Sequence, residues 1–302
     1  MRIATAPVNW NSPDVPEYRA WLPYERMMDE FVEAGYDATE WGPGMPEDPA
    51  ELRLALDARG LRMVGAFVGL GFRDADRHDA EMAKAMEIAR RLHATGGRLL
   101  IAAEAGDDRR RGEAGHVDES RGLTGEQWRN LATGLHDLAD ALAPMGMRVV
   151  FHNHVGTYVE TPAETARLLD ETQPSKVGWC LDIGHLAYGG GDSLAMLAPY
   201  GDRVEHIHLK DVDGDVLAQA KAGQWSFGQA LKAYIFPPLG AGIAQVPEVV
   251  GALLARGYDG WFVLEQDTCR GDPRDVARVN RLYLEDLLER AGRPVTRSAA
   301  GA

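Results

Sequence analysis

The sequence predicts an α/β protein, a single-domain TIM (β/α)8 barrel, and three observations predict it. Eight short apolar runs recur along the 302 residues, and each is followed by a stretch with helical spacing of apolar side chains. Strict alternation of this kind goes with parallel strands. Several runs end in polar, metal-capable side chains, as expected where strand C-termini open onto the site of a barrel. The open doubly wound alternative usually carries a glycine-rich phosphate loop after a strand, and neither GxGxxG nor GxxxxGK[ST] spacing occurs in that context. GGGD at 189–192 follows a strand end but lacks the spacing.

The elements follow in order. Residues 2–8, RIATAPV, make a first strand with Asn9 and Trp10 at its end. Helical periodicity over 17–34 is closed by Gly35. YDATEWGP is the second strand, carrying Glu40, and a helix over 49–59 stops at Gly60. LRMVGAFVGLGF is the third strand, and a long helix over 76–94 ends at Gly96-Gly97. RLLIAAEAG is the fourth, with Glu104 near its end. Residues 105–123, including DDRRR, read as a solvated loop or flap. Thr124 with Gln127 resembles a capping box opening a helix to about 144. MRVVFHNH is strand five, and Thr161-Pro162 starts the next helix. KVGWCLDIGH is strand six, and Asp192 caps a helix to Tyr200. RVEHIHLKDV is strand seven, followed by a less regular stretch, 213–245. A helix over 246–256 precedes Gly257, GWFVLEQD is strand eight, and a final helix covers 272–291. The barrel is expected over 1–292, with 293–302 a flexible tail.

Composition is that of a soluble globular protein, 45% hydrophobic and 26% charged. A net charge of -14 argues against nucleic acid or an anionic membrane as partner. The N-terminus lacks the apolar core of a signal peptide, and no run approaches the ~18 apolar residues of a membrane span. Two cysteines, one inside an apolar strand, do not make a disulfide framework, so a reducing, cytoplasmic setting is expected.

Side chains alternate along a strand, so His152 and His154 share a face, as do Cys180 and Asp182, His206, His208 and Lys210, and Val263 and Glu265. An acid ending a run as apolar as VGWCL should not be buried unpaired, which makes Asp182 a metal-ligand candidate. His208, Glu265 and His152 join it by the same reasoning, with His154 competing for the role of His152. A mixed His, Asp and Glu set suits manganese, cobalt or zinc, whereas magnesium prefers all-oxygen ligands. His154 and His185 read as substrate contacts or proton-transfer groups, and Lys210, Glu40 and Glu104 as acids or bases or as members of structural ion pairs. Asn9, Trp10 and His206 are candidates for the pocket wall, with Trp10 equally readable as core.

The order FHNHVGT…LDIGHL…HIHLKDV…GYDGWFVLEQD resembles the xylose isomerase-like TIM barrels of the sugar isomerase and epimerase group. APVNW, EWGP with a following DP, HVGTYVET, GGGDSLAMLAPYGDRVEHIHLKDV and DVLAQAKAGQWSF are similar to the inosose dehydratases within it. The likeness spans roughly 4–268. It implies a metal set of Glu, Asp, His and Glu, matched here by Asp182, His208 and Glu265, with His152 standing where relatives carry the first Glu. It implies a substrate contact at His185, a divalent ion (manganese or cobalt foremost, zinc or magnesium as alternatives), a small keto-polyol or keto-sugar substrate, and a possible homo-oligomer. The reaction implied is dehydration of scyllo-inosose. Keto-sugar isomerisation or epimerisation, 3-keto-glycoside (C-glycoside) cleavage and a non-catalytic sugar-binding barrel are the alternatives; the loops at 105–123 and 213–245 are expected to decide among the enzymes.

Overall fold

A computed structural model describes residues 1–295. The expected tail lies largely outside the described residues; Pro294, just inside them, accepts from the N-terminal ammonium of Met1 at 2.7 Å. Eight strands form one closed, all-parallel barrel in sequence order: β1 (Arg2–Thr5), β2 (Ala38–Trp41), β3 (Arg62–Leu70), β4 (Leu99–Glu104), β5 (Arg148–His152), β6 (Val177–Asp182), β7 (Val204–Leu209) and β8 (Trp261–Leu264). Closure is made by β1 on β8, with Ala4 opposite Val263. The surrounding helices are α1 (Tyr24–Glu33), α2 (Pro49–Asp57), α3 (His78–Ala94), α4 (Asp108–Gly112), α5 (Gly125–Leu142), α6 (Pro162–Glu171), α7 (Ile183–Tyr188), α8 (Ser193–Tyr200), α9 (Gly214–Ala222), α10 (Phe227–Lys232), α11 (Val246–Ala255) and α12 (Pro273–Arg290).

Local chemistry sets most of these boundaries. Thr124 and Gln127 close a reciprocal capping box at the start of α5, as do Thr161 and Glu164 at α6. Gly35, Gly60, Gly96 and Gly257 all adopt positive φ in the turns that leave helices. The first helix starts seven residues later than its periodicity suggests: Pro23 is the residue before α1, and Trp21 is 44% exposed instead of lying in the core.

Two layers of apolar side chains position the site. The larger fills the space between barrel and helices, with Trp179, Phe151, Leu181 and Ile207 pointing outward from the strands. The smaller fills the barrel interior, with Ala4, Ala38, Val64 and Val263 on one side and Ile101, Val150 and Cys180 on the other. Strand alternation then carries the next inward residues, Glu40, His152, Asp182, His208 and Glu265, to the C-terminal mouth.

Both long loops are more ordered than their composition suggests. Within 105–123, Arg110 of α4 is fully buried, donating to Thr157 O at 2.6 Å and pairing with Glu164 at 2.7 Å. The DDRRR run is therefore an anchor, with Arg73, Arg109 and Arg110 gathered around the Tyr158 ring. Segment 213–245 contains α9 and α10, and its return is gathered by Asp211, whose carboxylate accepts from the backbone of Gly240, Gly242 and Ala244 at 2.8, 3.0 and 2.9 Å.

Candidate metal centre

Four strand ends converge at the barrel mouth. His152 ends β5, Asp182 ends β6, His208 lies near the end of β7, and Glu265 follows β8 directly. All four are buried, and one donor atom from each lies within 4.8 Å of the others. His208 Nδ1 is 3.1 Å from His152 Nε2, 3.3 Å from Glu265 Oε2 and 3.8 Å from Asp182 Oδ2. His152 Nε2 is 3.4 Å from the same Asp182 oxygen.

Asp182 divides its carboxylate between two tasks. Oδ1 caps α7, accepting from His185 N at 2.7 Å, while Oδ2 is buried without a hydrogen bond. A buried carboxylate oxygen left unbonded beside two imidazole nitrogens and a second carboxylate is what a divalent cation would satisfy. The donor set, two nitrogens and two oxygens, fits a borderline ion such as zinc, cobalt or manganese. Backbone geometry supports it: Asn153 accepts from Asp182 N at 3.3 Å and Trp179 Nε1 at 3.1 Å, and donates to Asp182 O at 3.0 Å. Gly184 is needed for the same reason, since a Cβ there would meet Lys210 O at 2.8 Å.

Around the four donors lies a cavity of about 370 Å³. His154, His185, Lys210, Asp267 and Glu40 line its floor, and Phe67, Trp41, Met45 and Pro43 its wall. Lys210 Nζ is 2.6 Å from Asp267 and 3.1 Å from Glu265. Burial works against its charge, but Asp267, Asp182 and Glu265 outweigh burial and hold the ammonium above its usual range. Glu265 is held well below the usual carboxylate range, because His208 and Lys210 overcome the opposing effect of burial. His154 and His185 stack with ring centroids 4.0 Å apart. Burial first, then neighbouring imidazoles and Lys210, pushes His154 down to about 3 and His185 well below its usual value, so both rings are neutral at pH 7.

Residues 28–287 match the model of the xylose isomerase-like TIM barrel. The chain belongs to that family. It is 33% identical over 294 residues to an inosose dehydratase of Geobacillus kaustophilus, covering 95% of this chain and 94% of that one. It is 34% identical to the rhizopine catabolism protein MocC of Rhizobium meliloti, covering 97% and 90%. Among solved structures it is similar to the IolI protein, determined with a bound zinc atom, at a TM-score of 0.71 and 13% identity over 96% and 99% of the two chains. Like the inosose dehydratases it is similar to, this member of the family is an enzyme.

Within this barrel the residues singled out from sequence divide into two groups. His152, His154, His185, His208, Lys210, Glu40 and Glu265 line the cavity, with Asp182 buried behind them. Glu40 is not free for acid–base work: its Oε1 takes both His206 Nε2 at 2.6 Å and His208 Nε2 at 3.0 Å. His206 lies one inward step below the mouth and faces Glu40, so it is not a pocket wall. Glu104 is turned away from the cavity, ion-paired to Arg73 and accepting from Gly106 N at 2.8 Å and Tyr158 N at 2.9 Å. Asn9 clamps β1 to β8, donating to Leu264 O at 2.9 Å and accepting from Gln266 N at 2.6 Å. Trp10 is core, donating to Glu30 at 2.8 Å. Asn9 therefore belongs to the framework instead of the pocket wall, Trp10 to the core that was its other reading, and Glu104 to a structural ion pair, one of the two roles open to it from sequence. Sequence reasoning passed over Asp267, Asn153 and Phe67. Alternation past Val263 and Glu265 points to Asp267; Phe67, on β3 and 41% exposed, carries no such signal.

Proposed function

We propose that this enzyme is a metal-dependent hydro-lyase acting on scyllo-inosose or a similar keto-polyol, in the cytoplasm, where its two unpaired cysteines would stay reduced. The observation that carries the reading is the four-donor cluster at the cavity floor with a neutral imidazole and an ammonium beside it; the sequence likeness to inosose dehydratases supports it. His152, Asp182, His208 and Glu265 would hold a divalent ion, which supplies Lewis-acid stabilisation of the charge that develops on a ketone oxygen when an α-proton leaves.

The protein's own groups supply the proton transfers. His154 Nδ1 lies 2.7 Å from Val155 O, an acceptor, so Nδ1 carries the hydrogen and Nε2 the lone pair. In this reading His154 takes the α-proton on that lone pair. Lys210 is the one lysine or arginine among the described cavity-lining residues, and its Nζ is 3.2 Å from His185 Nε2. Lys210 with His185 delivers the proton to the departing β-hydroxyl, which leaves as water. Phe227 and Phe236 pack on His185 and keep that side dry.

The apolar wall favours a second reading. Phe67, Trp41, Met45 and Pro43 give room for a non-sugar substituent, as in elimination from a 3-keto-glycoside. The first reading is tested with metal-reconstituted enzyme and scyllo-inosose, and the second by offering a 3-keto-glycoside in its place and following release of the aglycone. Ultraviolet absorbance of a conjugated enol-diketone should grow and be abolished by chelation and by Asp182→Ala. Deuterium entering the ring without loss of hydroxyl would indicate an isomerase or epimerase instead. No turnover and no exchange with metal bound would sink the inosose assignment.

A further inference from the structure

Directly beneath the four-donor cluster the barrel offers a different set of ligands. Cys180 stands two residues before Asp182 on β6, on the same inward face, among Ile101 and Val150. It lies opposite His152 on one neighbouring strand and His206 on the other. Its sulfur and one nitrogen each of His152 and His208 fall within 4.8 Å of one another, and all three residues are buried. His152 Nδ1 has no hydrogen-bond partner in this interior. No step of the reaction uses a thiol at this depth. The other cysteine, Cys269, sits after β8 beside Gly271 and Arg19, away from these donors.

A thiolate with two imidazoles is a soft donor set, suited to zinc, cadmium and cuprous ions, whereas the carboxylates of Asp182 and Glu265 suit harder ions. We propose that His152, Cys180 and His208 form a second metal position that takes thiophilic cations in competition with the His152–Asp182–His208–Glu265 position. Binding forms a metal–sulfur bond and releases the Cys180 thiol proton to solvent, with no change of oxidation state. Because His152 and His208 belong to both positions, one ion excludes the other. Cys180 stands one inward step below Asp182 on its strand, so an ion held by its sulfur takes His152 and His208 from the activating ion, and thiophilic ions silence the enzyme. The position depends only on the donors, whichever keto-polyol is the substrate.

The test titrates metal-free full-length protein with cadmium and follows the thiolate-to-cadmium charge-transfer band. The expected result is a band that saturates at a single equivalent in the wild type and in Cys269→Ser, is lost in Cys180→Ser, and is displaced by excess manganese. Cadmium that binds without the band, a band that follows Cys269, or no cadmium binding would each overturn the proposal. Should Cys180→Ser fail to fold, cadmium NMR of the wild type decides: a shift in the sulfur-ligated range supports the position, and one in the oxygen- and nitrogen-ligated range overturns it.

Discussion

The Nε2 of His208 lies 3.0 Å from Oε1 of Glu40, on the side of the imidazole opposite Glu265. A carboxylate on the outer nitrogen of a histidine fixes its tautomer and ring orientation and leaves the inner nitrogen free to ligate. Burial opposes the charge of Glu40, yet the facing His208 and His206 rings hold its carboxyl down at about 2.

Removing that charge should loosen the ion without removing a ligand. Glu40→Gln is expected to weaken divalent-ion affinity by about 10–100-fold, read by competition with a chromophoric chelator. An unchanged affinity would show that His208 needs no orienting partner.

The two oxygens of Asp182 separate ligation from folding. Asp182→Asn keeps an oxygen able to cap α7 but lacks the anionic one, so it should bind ion poorly and fold well. Asp182→Ala should lose both, at an additional cost of about 1 kcal/mol for the lost cap. Urea denaturation of the two metal-free variants checks the difference; equal stabilities would mean that the bond to His185 N contributes nothing.

Acid should unfold the metal-free protein through its buried neutral imidazoles. The folded value of His154 lies at about 3 and that of His185 well below its usual value, while unfolded histidines titrate at about 6.5. The unfolded chain thus binds more protons below pH 6.5, so this stabilisation is complete above that pH and is lost as pH falls towards 3. Each such group costs about 1.4 kcal/mol per pH unit in that window. His154→Phe should flatten the decline measured by thermal melts between pH 7.5 and 5; a parallel decline would reject the assignment.

Glu104 should matter for folding and not for chemistry. Truncating Glu104 removes the buried partner of Arg73, which keeps Asp74 at 3.5 Å and Asp107 at 3.7 Å, and strips the acceptor from the Gly106 and Tyr158 N–H groups, at a cost of about 1–3 kcal/mol. Glu104→Ala is therefore expected to lower stability steeply in denaturant titrations, while any folded fraction, bound to metal, keeps its kcat. Loss of kcat with unchanged stability would return Glu104 to the pocket.

What was legible in the chain was what periodicity and end chemistry encode. Parallel strands require crossover helices, so the alternation of eight apolar runs with helical stretches fixed the barrel, and two-residue alternation put His152, Asp182, His208 and Glu265 at one level. Capping boxes at Thr124 and Thr161 are local, within three residues, and could be read directly. Partners distant in the chain could not. Whether a polar side chain at a strand end faces the cavity or the framework depends on what packs beside it in space: Glu104 meets Arg73 from the β3–α3 connection, Glu40 meets His206 and His208 across the barrel, and Arg110 finds Glu164 under a loop that composition alone would leave in water. Sequence by itself determined the fold and the donor types, because both follow from local spacing. Tertiary structure decided which donors are free to act, because a buried charge is committed to whichever partner lies within hydrogen-bond reach, and that reach is set by three-dimensional packing.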